Sequence, residues 1–225
     1  MPRFRIYDLD IDVPEALLTP AIAKGLEKGW YERDEADIAR SRLAPGDRVV
    51  ELGAGLGVTA LLGARLVGPG NIIAFEANPG LLPVERANAA LNNLPLAFDN
   101  RVLLPRARLP AAGSVGFRVA DEFWASSLGD GPDSIAVPCG GLEDTISGFA
   151  ANTLIMDIEG AEVDLIEQVD LSAIRKFIFE IHYEIQGIER TNAAIFKLQA
   201  SGCVVDYKMC SRGVLYLERK TVTAE

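Results

Sequence analysis

The sequence predicts an α/β fold with a doubly wound, mostly parallel sheet, and three observations support this. A glycine-rich turn directly follows a short strand rich in β-branched residues at 48–52. Strand-like and helix-like segments then alternate along most of the chain, which favours a parallel sheet with helices on both faces. Two strand-like segments at 204–209 and 213–218 form a C-terminal hairpin. We expect one domain over residues 1–225, since a chain of this length buries a substantial core.

The elements of the N-terminal half are predicted from apolar runs and from the residues that interrupt them. Residues 1–33 are expected to be an irregular segment over the outside of the core, because prolines and glycines interrupt them. A polar helix at 34–42 ends in the turn Pro45-Gly46-Asp47. The alternation then comprises a strand at 48–52, a helix ending at Gly68, a strand at 71–76, a helix at 79–91 and a strand at 96–98.

The second half contains one interruption. Residues 105–140 are predicted to be a small β-rich insertion, because so short a segment makes a poor independent core. Gly202 marks the end of the last helix, and Cys210–Gly213 joins the strands of the hairpin. The alternation returns with a helix at 141–147, a strand at 153–157, a helix at 161–169, a strand at 176–181 and a helix at 189–200.

Composition excludes several classes of protein. The 22 basic and 32 acidic residues give a net charge of −10, so we expect no nucleic-acid partner, which would require clustered Lys and Arg. Three cysteines and one histidine lack the spacing of a disulfide framework or a zinc module, and no metal site is predicted. We expect a cytoplasmic protein without secretory signal or membrane contact, because no long apolar run is present. Homo-oligomerisation is left open.

The glycine-rich turn carries the clearest functional signal. It reads Val49-Val50-Glu51-Leu52-Gly53-Ala54-Gly55-Leu56-Gly57, and glycines at such a turn let the backbone approach a ligand closely. Val58 stands where the dinucleotide fingerprint requires Gly or Ala. Glu51 would repel a pyrophosphate but suits a cationic ligand with an amino group. This pattern indicates S-adenosylmethionine, which carries a sulfonium and an ammonium and no phosphate.

A second acidic residue supports a nucleoside-containing cofactor. Glu76 ends the second predicted strand about 20 residues beyond the glycines, where an acid binds ribose hydroxyls. Its two oxygens can accept hydrogen bonds from both hydroxyls. Ribose occurs in NAD and in S-adenosylmethionine, so Glu76 does not distinguish them. The predicted cofactor-binding residues are Glu51, Gly53, Ala54, Gly55, Gly57, Glu76, Ala77 and Asn100.

With these residues, the chain resembles the FkbM family of S-adenosylmethionine-dependent methyltransferases over residues 31–181. The resemblance rests on the glycine-rich turn, on Ala74–Pro79 and, most specifically, on Met156-Asp157-Ile158-Glu159-Gly160-Ala161-Glu162. It implies a Rossmann-like class I methyltransferase fold with seven strands, and O-methylation of a small-molecule or glycan hydroxyl. Glu51 and Gly55 replace the Asp and Asn usual in the family. Met156 replaces the usual Lys, so the acceptor can differ from that of relatives.

Three polar residues end two successive predicted strands. Asp157 and Glu159 follow one strand and His182 follows the next, at the sheet edge where ligands bind in such folds. We predict this edge as the catalytic acceptor site, with His182 as candidate general base. The carboxylates would bind a hydroxyl, a cationic group or a divalent ion. Alternatively, the acids stabilise the N-terminus of the next helix, and the acceptor binds near Trp124 in the insertion.

Two other functions are weighed on the residues alone. An NAD-binding oxidoreductase is opposed by Val58 and by the lack of a Tyr-x-x-x-Lys pair. A catalytically inactive methyltransferase fold acting as a binding subunit is opposed by the intact Glu51, glycines and Glu76.

Overall fold

The computed structural model describes residues 1–120 and 126–220 and shows an ordered N-terminal segment. Strands β1 (Arg3–Ile6) and β2 (Leu9–Asp12) form an antiparallel hairpin, and a 3₁₀ turn (Glu15–Leu17) precedes helix α1 (Pro20–Lys28). The expectation that residues 1–33 are irregular is therefore wrong.

The prolines and glycines of this segment lie at element boundaries rather than inside elements. Pro20 is the first residue of α1, and Thr19 caps that helix by accepting a hydrogen bond from the Ile22 N–H at 3.3 Å. Gly29 ends α1 in the left-handed conformation with φ of 66°. Leu9 and Ile11 of the hairpin are fully buried in the core. These prolines and glycines therefore mark where helices and strands begin and end, which the sequence pattern alone did not reveal.

The following part of the chain alternates as predicted. Helix α2 opens it, and its Asp34 and Glu35 lie in the first turn, where acids are favourable. The elements are α2 (Arg33–Arg42), β3 (Val49–Leu52), α3 (Val58–Val67), β4 (Ile72–Phe75), α4 (Leu82–Leu91) and β5 (Ala97–Asp99).

The interruption is β-rich, as predicted, and begins slightly earlier, at Val102. Among the described residues it forms a four-stranded sheet in the order β6-β9-β7-β8. Its strands are β6 (Val102–Leu104), β7 (Ser114–Arg118), β8 (Ser127–Leu128) and β9 (Ser134–Gly141). Val102, Phe117 and Val137 form a small buried cluster between its strands. Trp124, the aromatic residue expected near an alternative acceptor pocket, lies outside the described residues.

The second half continues the alternation and ends in an antiparallel hairpin. Its first hairpin strand is shorter than predicted, because Asp206 leaves the strand and pairs its carboxylate with Arg42 of α2. The elements are α5 (Leu142–Phe149), β10 (Thr153–Met156), α6 (Glu162–Gln168), β11 (Lys176–Glu180), α7 (Tyr183–Gln186), α8 (Ile188–Ala200), β12 (Cys203–Val205) and β13 (Val214–Arg219).

Seven strands of the described chain form the central sheet, in the order β12-β13-β11-β10-β3-β4-β5. The five strands from β11 to β5 pair in parallel, and β13 is antiparallel to both of its neighbours. Consecutive residues on a strand point to opposite faces: Val49 packs with the N-terminal hairpin, α1, α2 and α3, whereas Val50 packs with α5, α6 and α8. The predicted doubly wound fold is confirmed.

The sheet order also places the ligand-binding edge. Strand β3 has β4 on one side and β10 on the other. The chain therefore adds strands first on one side of β3 and later on the other, which makes β3 the point where the strand order switches. Crevices of α/β sheets open at such points, outside the carboxyl ends of the strands. None of the helices formed by the described residues has the length and apolar character of a membrane span, the longest being the 13-residue α8.

Glu85 on α4 is an unusual part of the core. Its side chain is fully buried, and neither carboxylate oxygen has a hydrogen-bond partner. Burial, reinforced by the charge of Glu76, raises the pKa of Glu85 to about 9. The folded protein therefore holds a protonated Glu85 at neutral pH, whereas the unfolded chain ionises it.

We expect Glu85→Gln to stabilise the protein. A carboxyl whose pKa is raised from 4.5 to about 9 by folding lowers the free energy of unfolding as pH rises through that window. Removing this titration should add up to about 3 kcal/mol at pH 7 and nothing below about pH 4. Chemical unfolding at several pH values measures the difference, with the exposed Glu27→Gln as control. A gain that is independent of pH would contradict the titration of Glu85.

Candidate active site

A cleft of about 860 Å³ opens at the carboxyl ends of β3, β4 and β10. The residues that directly follow these strands, Gly53, Glu76 and Asp157, form one wall. The insertion forms the other, through Phe117 and Leu128 among others. The cleft therefore lies between the central sheet and the insertion, where the sheet order predicts a ligand.

The glycine-rich turn forms the bottom of this cleft. Gly53, Gly55 and Gly57 have φ values of 84°, 55° and 81°, which residues other than glycine rarely adopt. The N–H groups of Gly53 and Ala54 donate to the carbonyl of Phe75 at 2.9 and 3.2 Å, which ties the turn to β4. Gly53 and Gly55 line the cleft. Ala54 is buried, and Gly57 is the N-cap of α3, so these two predicted cofactor residues shape the turn from outside the lining.

Glu76 projects into the cleft in a fixed orientation. Its Oε1 accepts the Asn78 N–H at 2.7 Å and its Oε2 accepts the Gly55 N–H at 3.0 Å. Burial raises the pKa of Glu76, and these backbone hydrogen bonds oppose the shift. A carboxylate oxygen has two lone pairs, so each oxygen can accept one further hydrogen bond from a ligand.

The loop after Glu76 is held from behind by Asn100. The Asn100 Nδ2 donates to the carbonyl oxygens of Glu76 and Ala77 at 2.7 and 3.0 Å. Ala77 lines the cleft, whereas Asn100 itself supports the loop and lies outside the lining. The neighbouring Arg101, which was not among the predicted site residues, does line the cleft, and its Nε donates to Asp99 Oδ1 at 2.8 Å.

Glu51 lies beneath the cleft. It lines a smaller cavity behind Gly53, which shares Glu32, Leu52, Gly53 and Asp157 with the main cleft. Its side chain is buried, and its Oε2 accepts no hydrogen bond. Burial, followed by the charges of Glu32 and Glu85, raises the pKa of Glu51 well above its usual range. A buried oxygen without a partner fits a ligand that brings a positive group or an N–H donor to this position.

Two further acids of the smaller cavity come from the start of the helical region and were missed by sequence reasoning. Glu32 Oε2 accepts hydrogen bonds from the Thr59 N–H at 2.9 Å and the Thr59 hydroxyl at 2.8 Å. Burial raises the pKa of Glu32 to about 7 and that of Glu35 to about 8. Tyr31 and Glu32 also line the main cleft. Tyr31 and Glu32 belong to the segment that resembles the FkbM family, but only the packing of α2 against α3 shows that they line the cleft.

The structure brings together the three predicted catalytic residues. His182 Nε2 lies 3.4 Å from Glu159 Oε2 and 3.8 Å from Asp157 Oδ1. Asp157 and Glu159 line the cleft, and His182 lies behind them. The backbone does not remain extended beyond β10, so the alternation of side chains along a strand does not set the directions of Asp157 and Glu159. Glu159 has a φ of 52° and Gly160 a φ of 100°, so a tight turn rather than a strand aims the two carboxylates.

Glu162 holds this turn in place. Its buried Oε1 accepts the N–H groups of Ile158 and Gly160 at 2.9 and 3.3 Å and lies 3.1 Å from His182 Nδ1. These contacts give Glu162 a structural role. It satisfies the backbone N–H groups of Ile158 and Gly160 within the turn.

The surroundings of His182 affect its protonation. Burial lowers its pKa, but the hydrogen bond and charge of Glu162, together with Glu159 and Asp157, outweigh burial and raise the pKa of His182 to about 9. The pKa of Asp157 is raised well above its usual range by burial and by the charges of Glu180 and Glu35. A protonated imidazole cannot accept a proton, so this environment argues against His182 as the base.

Comparison with protein families identifies one match. Residues 51–202, about two thirds of the chain, match the profile of the methyltransferase FkbM domain. A search of curated proteins finds no significant match. The match supports the prediction of a methyltransferase over an NAD-binding oxidoreductase or an inactive binding subunit.

Solved structures share the fold. The tRNA (uracil-54, C5)-methyltransferase of Pyrococcus abyssi, in complex with S-adenosyl-L-homocysteine, aligns with a TM-score of 0.52 at 13% identity over 96% of this chain and 43% of that one. The ribosomal protein L11 methylase of Lactobacillus delbrueckii subsp. bulgaricus aligns at 17% identity with a TM-score of 0.48, over 85% and 80% of the two chains. This chain thus spans less than half of the Pyrococcus enzyme, and the likeness concerns the fold alone.

We expect Glu76→Ala to weaken binding of S-adenosylhomocysteine. Loss of two charge-assisted hydrogen bonds to ribose would cost roughly 2–4 kcal/mol, or about 30- to 1000-fold in affinity. Calorimetry measures the dissociation constant, with the exposed Glu27→Ala as matched control and circular dichroism to verify the fold. An unchanged affinity in a folded variant would show that Glu76 only holds the Gly55 and Asn78 backbone.

Proposed function

This chain belongs to the FkbM methyltransferase family and uses S-adenosylmethionine, and on that premise we propose that it methylates a hydroxyl group of a small molecule or glycan. The observation that carries the proposal is that Asp157 and Glu159 face the same cleft as Gly53 and Glu76. Groups able to bind and deprotonate a hydroxyl therefore lie beside the predicted cofactor residues.

The residues of the cleft fit S-adenosylmethionine at both ends. Glu76 offers two oriented oxygens to the ribose hydroxyls, and the buried, unpartnered Glu51 Oε2 offers negative charge to the amino-acid end. Gly55, without a side chain, leaves the backbone between them accessible. When bound, the cofactor would supply an electrophilic methyl carbon on a sulfonium, with S-adenosylhomocysteine as the leaving group.

The turn after β10 supplies what an acceptor hydroxyl needs. Both of its carboxylates line the cleft, and we assign Glu159 as the group that takes the hydroxyl proton as the oxygen–methyl bond forms. Asp157 accepts a hydrogen bond from the acceptor and positions it. His182, tied to Glu162 at 3.1 Å, holds both carboxylates through its positive charge. General-base assistance of this kind contributes about 10²–10⁴-fold to turnover.

The opposite wall indicates the kind of acceptor. The insertion contributes apolar Phe117 and Leu128 and the hydroxyls of Ser126 and Ser127. Arg101 is the one Lys or Arg side chain that the described residues add to the lining. A cleft with this lining, which must also hold the cofactor, suits a small organic molecule with an apolar body and a hydroxyl. A polyanionic acceptor would meet little positive charge here.

The acceptor class is tested by incubating the protein with methyl-labelled S-adenosylmethionine and a panel of alcohols, phenols, glycosides, amines and RNA. We expect label only in hydroxyl-containing small molecules or glycans, as an oxygen-linked methyl group in the mass spectrum. Label confined to nitrogen, carbon or RNA would overturn the proposal.

On an accepted substrate, we expect Glu159→Gln to lower kcat by about 10²–10⁴-fold, because an amide cannot take the hydroxyl proton. The affinity for S-adenosylhomocysteine should stay within about twofold, since Glu159 serves the acceptor side. Steady-state kinetics and calorimetry check the two expectations, with the exposed Glu189→Gln as matched control. Unchanged kcat in Glu159→Gln would move the base elsewhere in the cleft.

A further inference from the structure

Asp157, Glu180 and His182 form a compact cluster at the edge of the cleft. One donor atom from each lies within 4.8 Å of the other two. Strands β10 and β11 are adjacent and parallel, so the residues at their carboxyl ends meet at one edge. Around a six-coordinate ion with bonds of about 2.1 Å, neighbouring donors lie about 3–4 Å apart. The three donors need only small side-chain adjustments to reach this geometry.

The imidazole of His182 is oriented as a metal ligand would be. Its Nδ1 lies 3.1 Å from Oε1 of the buried Glu162, and its Nε2 is directed towards Asp157 and Glu159. A carboxylate that receives the far ring N–H fixes the tautomer and leaves the other nitrogen free to coordinate. Glu162 occupies this supporting position, with two backbone N–H groups holding its carboxylate.

A second observation points to a missing cation. Asp157 Oδ1 is shielded from solvent and accepts no hydrogen bond, and the same is true of Glu162 Oε2. Within residues 1–120 and 126–220, the ion pairs of Asp157, Glu159 and Glu162 all involve His182. One imidazolium cannot balance these carboxylates together with Glu180. A buried oxygen without a partner is costly, and a divalent ion bound by Asp157 would satisfy its Oδ1.

We propose that Asp157, Glu180 and His182 bind one divalent cation, Mg²⁺ or Mn²⁺. Carboxylate oxygens suit both ions, and Mn²⁺ also accepts an imidazole ligand. The ion takes the place of the proton on His182 Nε2. Resting on the proposed function, we assign it the acceptor hydroxyl as a further ligand, since Asp157 also lines the cleft. Coordination makes a hydroxyl more acidic, and the adjacent Glu159 then takes its proton.

Mn²⁺ is the probe that tests the site. Titration of the full chain with Mn²⁺ in the presence of S-adenosylhomocysteine, followed by electron paramagnetic resonance of the free ion, should give one bound ion per chain. Asp157→Asn and His182→Gln should each weaken binding at least about tenfold. The exposed Glu184→Gln, a matched acid near His182 on α7, should bind Mn²⁺ like the unaltered protein. No binding below about 1 mM, or unchanged affinity in both variants, would overturn the proposal.

Two further readouts separate loss of the ion from loss of the fold or of the activity. Thermal unfolding and S-adenosylhomocysteine affinity verify each variant, and Glu180→Gln replaces any variant that does not fold. The titration contains no acceptor, so a failure of hydroxyl methylation would leave the expected stoichiometry intact. If the metal site alone is wrong, O-methyl transfer will occur and will be insensitive to a chelator.

Discussion

The close approach of Gly53 to the carbonyl oxygen of Asp157 is the constraint on which the site depends. A Cβ at position 53 would lie 1.7 Å from that oxygen, a distance no side chain tolerates. The Asp157 N–H also donates to the Leu52 carbonyl at 3.0 Å. The ends of β3 and β10 are thereby locked together. The glycine-rich turn and the loop that carries Asp157 and Glu159 are therefore held in direct contact.

Buried carboxylates give this region its electrostatic character. Glu32, Glu35 and Glu51 line one small cavity with Asp157, and burial raises the pKa of each. Such groups reduce stability, because the unfolded chain ionises them freely in water. A ligand with positive groups would reduce this loss of stability, because it would supply an opposite charge to the buried carboxylates. These buried carboxyl groups thus lower the stability of the folded protein, and a cationic cofactor would offset that loss.

The insertion forms the second wall of the cleft. Its four described strands form a sheet apart from the central one, with a small core of Val102, Phe117 and Val137. Strand β6 follows β5 after a short turn, so the insertion is anchored directly beside the cofactor loop. The candidate catalytic residues therefore lie at the ends of central strands, whereas the opposite wall of the cleft belongs to a separate sheet.

The sequence by itself determined the features that depend on local patterns. Alternating strands and helices predicted the doubly wound sheet, and the Gly53–Gly57 spacing with Glu51 and Glu76 predicted the cofactor class. Both predictions depend on residues that lie close together in the sequence. It also predicted that Asp157, Glu159 and His182 meet, since parallel strands end at a common edge. It misread residues 1–33, because a proline at an element boundary looks the same in sequence as one that breaks an element.

Tertiary structure decided everything that depends on packing between distant segments. Only folding brings Glu162 to His182, Glu180 to Asp157, and Glu32 to Thr59 at the start of α3. The protonation of His182 follows from those contacts and not from its residue type, because a pKa responds to burial and charges in three dimensions. Asn100 likewise supports the cofactor loop from behind, a role that its position after β5 did not distinguish from direct contact. Periodicity and spacing are one-dimensional, whereas burial and charge neighbours exist only once the chain has folded.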